Sequence, residues 1–371
     1  MARAEPDLDD ILEELDAPPR SAVKGIIQSI NNHRTVQQCL DLWLRFLLHN
    51  PLIGSLAQPV VGQRRLDLLR LFLVTFLSAC LIFGIQSLIQ EPLAHQQVAS
   101  AQIPAIILFV ANLPFIFYCV RGLTDVVLFA LQGPSMSALV RSLRDGHQCR
   151  PPAFLVMLSF VVMGMMVSIT AYKAYASLLL ANNLPDDGDT SRFLVWNVSE
   201  KMVAYASIVL IGLVDFMSTI TAGFFAGVIL LYITSAVTPL LQDLGQLKAT
   251  IATTDTTQLR ALHDEILRCH EQEKALPVLF RRIMQMFSPA LSAWLLMDIL
   301  IVIVYMARSF AVVFKDTAAE VEFWMAPMPH IIHAFFVVFM AEQPKKMGRK
   351  ISGLWKKLQE DVFTAFYTPT I

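Results

Sequence analysis

The chain has 371 residues, of which 55% are hydrophobic and 16% are charged, and its formal net charge is −1. It contains no basic patch interleaved with aromatic residues, which argues against a nucleic-acid partner. The apolar residues are concentrated in six long segments, at 66–89, 103–131, 153–181, 203–237, 283–307 and 323–342. Each segment has roughly the 20 residues that a helix needs to cross a bilayer. Because lipid cannot satisfy backbone hydrogen bonds, the sequence predicts an all-α polytopic membrane protein with six transmembrane helices.

Lysine and arginine are distributed unequally between the two sides of these spans. The amino-terminal segment, the second and fourth loops and the tail hold 22 of them, whereas the other three loops hold 4. Basic residues are enriched on the cytoplasmic side of membrane proteins, so both termini are predicted to be cytoplasmic. The third loop is then on the outer side. It contains the sequon Asn197-Val198-Ser199, which predicts glycosylation of Asn197.

The first part of the chain is polar and acidic. Residues 1–35 are expected to form a disordered cytoplasmic segment, and the seven acidic residues among the first twenty are unlike the basic start of a cleavable signal peptide. The transmembrane domain is predicted to cover 36–342. Its first part, 36–57, is too short and too charged to span, which favours an interfacial helix on the cytoplasmic leaflet, with a buried re-entrant segment as the alternative.

The fourth span is too long for a bilayer. Its 35 residues would extend about 52 Å, against a hydrocarbon core of about 30 Å. The helix must therefore tilt, protrude into the cytoplasm, or break near Gly223 or Gly227. Leucines at helical spacing after the span favour protrusion, and a second helix capped by Asp255 or Thr256 is predicted to follow. The helices of 238–282 are expected to pack on each other, and the basic tail, 343–371, to dock on them or lie on anionic lipid.

Ionisable residues inside the spans indicate a functional region, because each is costly in lipid unless paired or hydrated. Lys173, Asp215, Asp298, His330 and His333 lie about 10–18 Å from the outer ends of their helices. The sequence predicts an outer pocket for a small molecule, lined by Lys173, Asp215, Asp298, His330, Tyr172, Trp294 and Tyr305. The alternatives are that these charges pair and hold helices together, or that Lys173 extends outward to the interface.

Two other groups of residues are given simpler interpretations. Arg121 and Asp125 are spaced i, i+4 near the inner end of the second span, which favours a local ion pair at the interface. The histidines are scattered, and a metal site needs three or four convergent ligands. With no glycine-rich phosphate loop or nucleophile motif either, the sequence predicts no enzyme, no metal and no cofactor.

The last third of the chain resembles a known family. Residues 263–310 form a charged helix that enters a span through Phe287-Ser288, and this span ends near Tyr305. This resembles the region around the fifth span of arthropod gustatory receptors. Residues 330–362 resemble their sixth span and the basic cytoplasmic helix after it. The cytoplasmic amino terminus, the overlong fourth span and the large fourth loop fit the same family.

The resemblance implies a seven-helix, ligand-gated cation channel that assembles as a tetramer, with a tastant pocket in its outer half. The chain departs from that pattern because it ends at Ile371 without the pore-lining seventh helix or its Thr-Tyr…Gln-Phe signature. It is expected to be either a truncated sequence or a six-span relative.

The leading hypothesis is a plasma-membrane chemosensory receptor, a homo- or hetero-tetramer whose partners are a small-molecule tastant and membrane lipid. The alternatives are a transporter that uses the charged layer for substrate or proton coupling, and a structural membrane protein.

Overall fold

The computed structural model of the chain describes residues 63–97, 105–144, 153–182, 190–193, 196–253, 262–309 and 324–367. The predictions for 1–57, including the interfacial helix, and the helix cap at Asp255 or Thr256 lie outside these residues. The described residues form α1 Gln63–Gln97, α2 Ala105–Arg144, α3 Ala153–Asn182, β1 Thr190–Phe193, β2 Trp196–Ser199, α4 Glu200–Tyr232, a π-helical segment Ile233–Val237, α5 Thr238–Thr253, α6 His263–Ser309 and α7 Met328–Tyr367.

Five helical stretches in this part of the chain are long and apolar enough to cross a membrane. They are Leu68–Gln86, Leu113–Gln132, Phe154–Leu179, Lys201–Ile251 and His263–Ala307. The prediction of an all-α membrane protein is confirmed at this level, but the count of six is not. Residues 328–342 of the predicted sixth span form the first part of α7, where His330 and His333 interrupt the apolar run before Glu342.

The loop between α3 and α4 contains a short antiparallel hairpin, which the all-α prediction missed. Strand β1 pairs with β2 so that Arg192 lies opposite Asn197 and Phe193 opposite Trp196. Asn197, the predicted glycosylation residue, is thus in a strand. The hairpin leads directly into α4, because the Ser199 hydroxyl accepts a hydrogen bond from the Met202 amide at 3.4 Å and caps the helix.

Helix α4 continues through the π-helical segment into α5 without interruption. The alternative of a break near Gly223 or Gly227 is therefore wrong, and protrusion into the cytoplasm stays a prediction. The π segment lies just before Pro239, whose ring would crowd the preceding turn of a regular α-helix. The Thr238 hydroxyl donates to the Ile233 carbonyl at 3.0 Å, which satisfies a backbone acceptor in the widened turn.

The helix ends near 238–282, which the sequence predicts to be cytoplasmic and which we call the inner ends, pack into one apolar core. Leu240, Leu244 and Leu247 of α5 are buried in it with Cys269 and Leu276 of α6. Helix α7 extends into the same core through Ile351, Trp355 and Leu358, and the Trp355 ring stacks on His270 at 5.2 Å. The basic tail therefore docks on these helices, with its lysines on the exposed face.

A second apolar core joins α1, α2, α4 and α6 near the other end of the molecule. Close approach of three helices there depends on Gly122 of α2. A Cβ atom at this position would lie 3.0 Å from side-chain atoms of Leu77 on α1 and Val214 on α4. The neighbouring residue on α2 is Arg121, so this packing fixes one of the charged groups described below.

Candidate functional site

Nine polar or charged side chains from five helices meet in the interior, and we call this set the polar cluster. All nine are buried, at or below 6% exposure: Tyr118, Arg121 and Asp125 of α2, Lys173 of α3, Asp215 of α4, Trp294 and Asp298 of α6, and His330 and His333 of α7. On each helix that contributes more than one residue, the spacing is three or four. Residues at such spacing share one face of a helix, so each helix directs a single polar stripe inward.

Lys173 is the first connection point of the polar cluster. Its Nζ atom lies 2.7 Å from Asp215 Oδ2, and it also donates to the Tyr118 hydroxyl at 3.3 Å and the Ala326 carbonyl at 3.1 Å. An ammonium group has three donors, and these three acceptors satisfy all of them. The alternative in which Lys173 extends outward to the interface is therefore wrong, and the lysine instead joins α3 to α4, α2 and the residues just before α7.

His330 bridges two carboxylates. Its Nδ1 atom lies 3.0 Å from Asp298 Oδ1, while its Nε2 atom lies 2.8 Å from the Tyr118 hydroxyl and 3.3 Å from Asp215 Oδ1. A doubly protonated imidazole donates from both nitrogens, which suits a position between two carboxylates. His330 therefore links the pair formed by Lys173 and Asp215 to the groups around Asp298.

Asp298 is the centre of the polar cluster. Its Oδ2 atom lies 2.6 Å from His333 Nδ1, and its Oδ1 atom lies 3.4 Å from Arg121 NH1. Arg121 NH2 lies 3.3 Å from His333 Nε2. Because a guanidinium can only donate, His333 Nε2 must be the acceptor and Nδ1 must carry the proton that is donated to Asp298. The geometry thus assigns one neutral tautomer to His333.

Arg121 and Asp125 do form the predicted pair, but not at an interface. Arg121 Nε lies 3.4 Å from Asp125 Oδ2, and both side chains are fully buried. The Trp294 indole donates its N–H to the other Asp125 oxygen, and the Arg121 guanidinium lies 5.6 Å from the Trp294 ring centroid. The interpretation as a local interfacial pair is wrong, because Arg121 also contacts Asp298 and both residues belong to the buried polar cluster.

The charges in the polar cluster do not balance unless one more proton is bound. Arg121 and Lys173 supply two positive charges, whereas Asp125, Asp215 and Asp298 supply three negative charges when ionised. Buried charges are stable only when they are paired and hydrogen-bonded. One additional proton would neutralise the set. His330 is the group best placed to hold it, because its Nδ1 atom contacts Asp298 and its Nε2 atom, which is hydrogen-bonded to the Tyr118 hydroxyl, also lies 3.3 Å from Asp215 Oδ1.

The predicted site residues separate into three groups in the structure. Lys173, Asp215, Asp298, His330 and Trp294 all belong to the polar cluster. Tyr305 is buried beside it. Tyr172, in contrast, is 45% exposed, because it is the neighbour of Lys173 and lies about 100° further round the helix. Sequence reasoning missed Tyr118, although its spacing of three residues from Arg121 places the two on one helix face.

A small cavity adjoins the Lys173 end of the polar cluster. It has a volume of about 60 Å³ and is bordered by Lys173, Ala174, Asp215, Tyr305 and Ala326. A water molecule occupies about 30 Å³ in the liquid, and small-molecule pockets typically have about 300–1,000 Å³. The predicted outer pocket is thus present here only as a space for about two waters. The alternative, paired charges that hold helices together, describes this geometry better.

The fold and the polar cluster define the class of this protein as an all-α, membrane-embedded protein with a charged network in its interior. No protein-family model matches the chain, and no curated protein matches it significantly. Within the described residues, no group of three or more His, Cys, Asp or Glu side chains is arranged to hold a metal ion.

Proposed function

We propose that the chain is a subunit of a chemosensory, ligand-gated cation channel of the gustatory-receptor type. In this proposal it lies in the plasma membrane as a tetramer, crosses the bilayer six times and has both termini in the cytoplasm. The observation that best supports the proposal is that α6 and α7 each connect the polar cluster to the inner apolar core. Each contributes to the polar cluster near one end, through Asp298 and His330, and to the inner apolar core at the other, through Cys269 and Trp355.

The first part of α7 serves as the sixth span in this proposal. Its two histidines lower its hydropathy, but both are buried and paired with Asp298 instead of facing lipid. Polar groups inside membrane proteins are tolerated when they face the interior and find partners. The rest of the segment up to Met340 is mainly aliphatic and aromatic, as a span requires.

The polar cluster would act as a latch, in the sense that its ion pairs would keep the channel closed until a ligand binds. A tastant that enters the small cavity between α3 and α4 must enlarge it, which separates Lys173 from Asp215. Breaking a buried charge pair costs about 3–5 kcal/mol, whereas a ligand of micromolar affinity supplies about 8 kcal/mol. Release of Asp215 also removes one partner of His330. A shift of α7 would follow, and α7 would carry it to the inner core.

The polar cluster needs one additional proton to be neutral, and this favours a second candidate function, a proton-coupled transporter. Chains of acidic residues and histidines inside membranes typically mark proton pathways. Asp215, His330, Asp298 and His333 form such a chain through contacts of 2.6–3.3 Å. In this alternative, binding of substrate beside Lys173 would release the proton held between the carboxylates.

Reconstitution of the full purified chain separates the two candidates. In planar bilayers, the channel proposal predicts unitary cation current steps when sucrose, caffeine or quinine is added. It also predicts that Lys173→Met, which removes the latch, conducts without ligand. Lys274→Met changes an exposed lysine of α6 and is the matched control. The transporter is supported instead if neither the unmodified chain nor Lys173→Met gives current steps. In that case the unmodified chain should also show a proton flux in pyranine-loaded liposomes, and Lys173→Met should abolish this flux.

A further inference from the structure

A second region formed by α6 and α7 is an open groove of about 460 Å³. We call it the basic groove. Its walls are mainly apolar and include Leu291 and Leu295 of α6 and Val338 and Ala341 of α7. At one end it is bordered by Arg281 and Lys345, both of which are exposed. The volume is within the range of about 300–1,000 Å³ that is typical of ligand pockets.

The position of the basic groove matches the cytoplasmic membrane surface of the proposed topology, on which this inference rests. Arg281 comes two residues before the predicted fifth span, and Lys345 three residues after the end of the predicted sixth. From Arg281 to Leu295 the groove follows about 21 Å of helix. Its charged end would therefore lie at the level of lipid headgroups, and its apolar walls would extend into the hydrocarbon layer.

The charges at this end suit an anion. Lys345 is paired with Glu342 at 2.8 Å, which uses one of its three N–H donors and leaves two. Arg281 has no ion pair within the part of the chain that the structure describes. The sum of these three groups is +1. A phosphodiester carries one negative charge, and a planar guanidinium binds two of its oxygens in a fork.

We propose that the basic groove binds an anionic phospholipid of the cytoplasmic leaflet. One acyl chain would lie along Leu291, Leu295 and Val338, and the phosphate would bind between Arg281 and Lys345. The hydroxyl of Ser288 lines the groove between these two parts, at the level of the glycerol esters, and Ser292 lies beside the apolar path. A second copy of this chain fits the site less well, because the neighbouring surface of α7 is itself basic.

Native mass spectrometry of the full chain in detergent, titrated with dioleoyl phosphatidylserine, tests the proposal. The expected result is one tightly bound lipid, whose affinity falls about fivefold for each cation removed in Arg281→Gln and Lys345→Gln. Glu342→Gln should raise the affinity, because it frees Lys345. Thermal unfolding of each variant shows whether it is folded.

The matched controls are Arg282→Gln and Lys346→Gln, which remove the same charges from exposed positions one residue away and do not line the groove. They are expected to bind phosphatidylserine as the unmodified chain does. An equal loss in both sets of variants would indicate diffuse attraction to a basic surface and would overturn the proposal. Strong binding of glycerophosphoserine, which lacks acyl chains, would also overturn it, because the site would then be one for a free phosphate.

A third variant examines the apolar part of the basic groove. Ser292→Trp should fill the groove and weaken binding of phosphatidylserine and phosphatidylcholine alike, while unchanged binding would contradict the predicted path of the acyl chain. This measurement is independent of conduction. If bilayer recordings show no channel but the lipid result is as expected, the proposed function fails and the lipid site stands.

Discussion

Helices α6 and α7 contribute to both the polar cluster and the basic groove, yet the charged side chains in the two regions differ in burial and in pairing. In the polar cluster, Asp298 is 1% exposed and contacts three groups on two other helices. In the basic groove, Arg281 and Lys345 are exposed, and the nearest acid is on the same helix as Lys345. A buried charge must be paired with another group of the chain, whereas an exposed charge at the edge of a groove is available to bind a ligand.

The energetic consequences differ in the same way. Removing one member of a buried, hydrogen-bonded pair leaves an uncompensated charge and costs about 3–5 kcal/mol. An exposed pair contributes about 0–1 kcal/mol, because water and salt screen it. The comparison therefore predicts a graded series of effects on the free energy of unfolding, each measurable by SDS titration of purified protein in detergent micelles.

The largest loss is expected for Asp298→Ala. This change removes the carboxylate that both His330 and His333 contact, together with one of the two carboxylates beside Arg121, so the free energy of unfolding should fall by about 3–5 kcal/mol. Asp361→Ala, at an exposed position of α7, is the control and should change it by less than about 0.5 kcal/mol. Similar small effects from both variants would mean that Asp298 is not at the centre of the network.

A loss of about 3 kcal/mol is expected for Trp355→Ala. The ring is 7% exposed and stacks on His270, so its removal leaves a cavity between α7 and α6 in the inner core. Lys356→Ala, at the next and exposed position, should be nearly neutral. If the two variants were equally stable, α7 would not dock on the inner core.

An intermediate effect is expected for Gly122→Val. The new side chain would collide with Leu77 and Val214, since even its Cβ atom would lie 3.0 Å from both. Overpacking of this kind typically costs about 1–3 kcal/mol. The matched control is Gly164→Val, where a Cβ atom meets nothing within 4 Å. A cost at Gly164 equal to that at Gly122 would indicate a general helix effect and not a close approach of three helices.

The smallest effect is expected for Arg268→Ala. This arginine lies 3.5 Å from Asp243 and 3.6 Å from Glu265, but its side chain is 57% exposed. The expected cost is at most about 1 kcal/mol, and it should decrease further as salt is added. A loss as large as that of Asp298→Ala would contradict the distinction between enclosed and open charges.

Much of the polar cluster could be predicted because depth along a helix follows from counting residues. Counting predicts similar depths for Lys173, Asp215, Asp298 and His330, and the structure brings these four side chains together. Counting did not reveal that their side chains would fill the space between the helices, so a wide pocket was expected where a cavity of about 60 Å³ exists.

The remaining differences arise from packing between helices, which periodicity does not specify. The sequence predicts an interfacial position for Arg121 and Asp125, because the second apolar segment ends at 131. Helix α2 continues to Arg144, so the pair lies near its middle. Tyr118 carries no charge, so a search for ionisable residues in the spans does not find it, although it contacts both Lys173 and His330.

The double-mutant cycle of Lys173 and Asp215 tests the central claim most directly, namely that the buried charges are paired with one another inside the chain. Lys173→Met and Asp215→Asn are each expected to lower the free energy of unfolding by about 3 kcal/mol, because each leaves the other charge unpaired. The double variant should lose at least about 1 kcal/mol less than the sum of the two. Losses that add to within about 0.5 kcal/mol would contradict the account, since the two groups would then be independent.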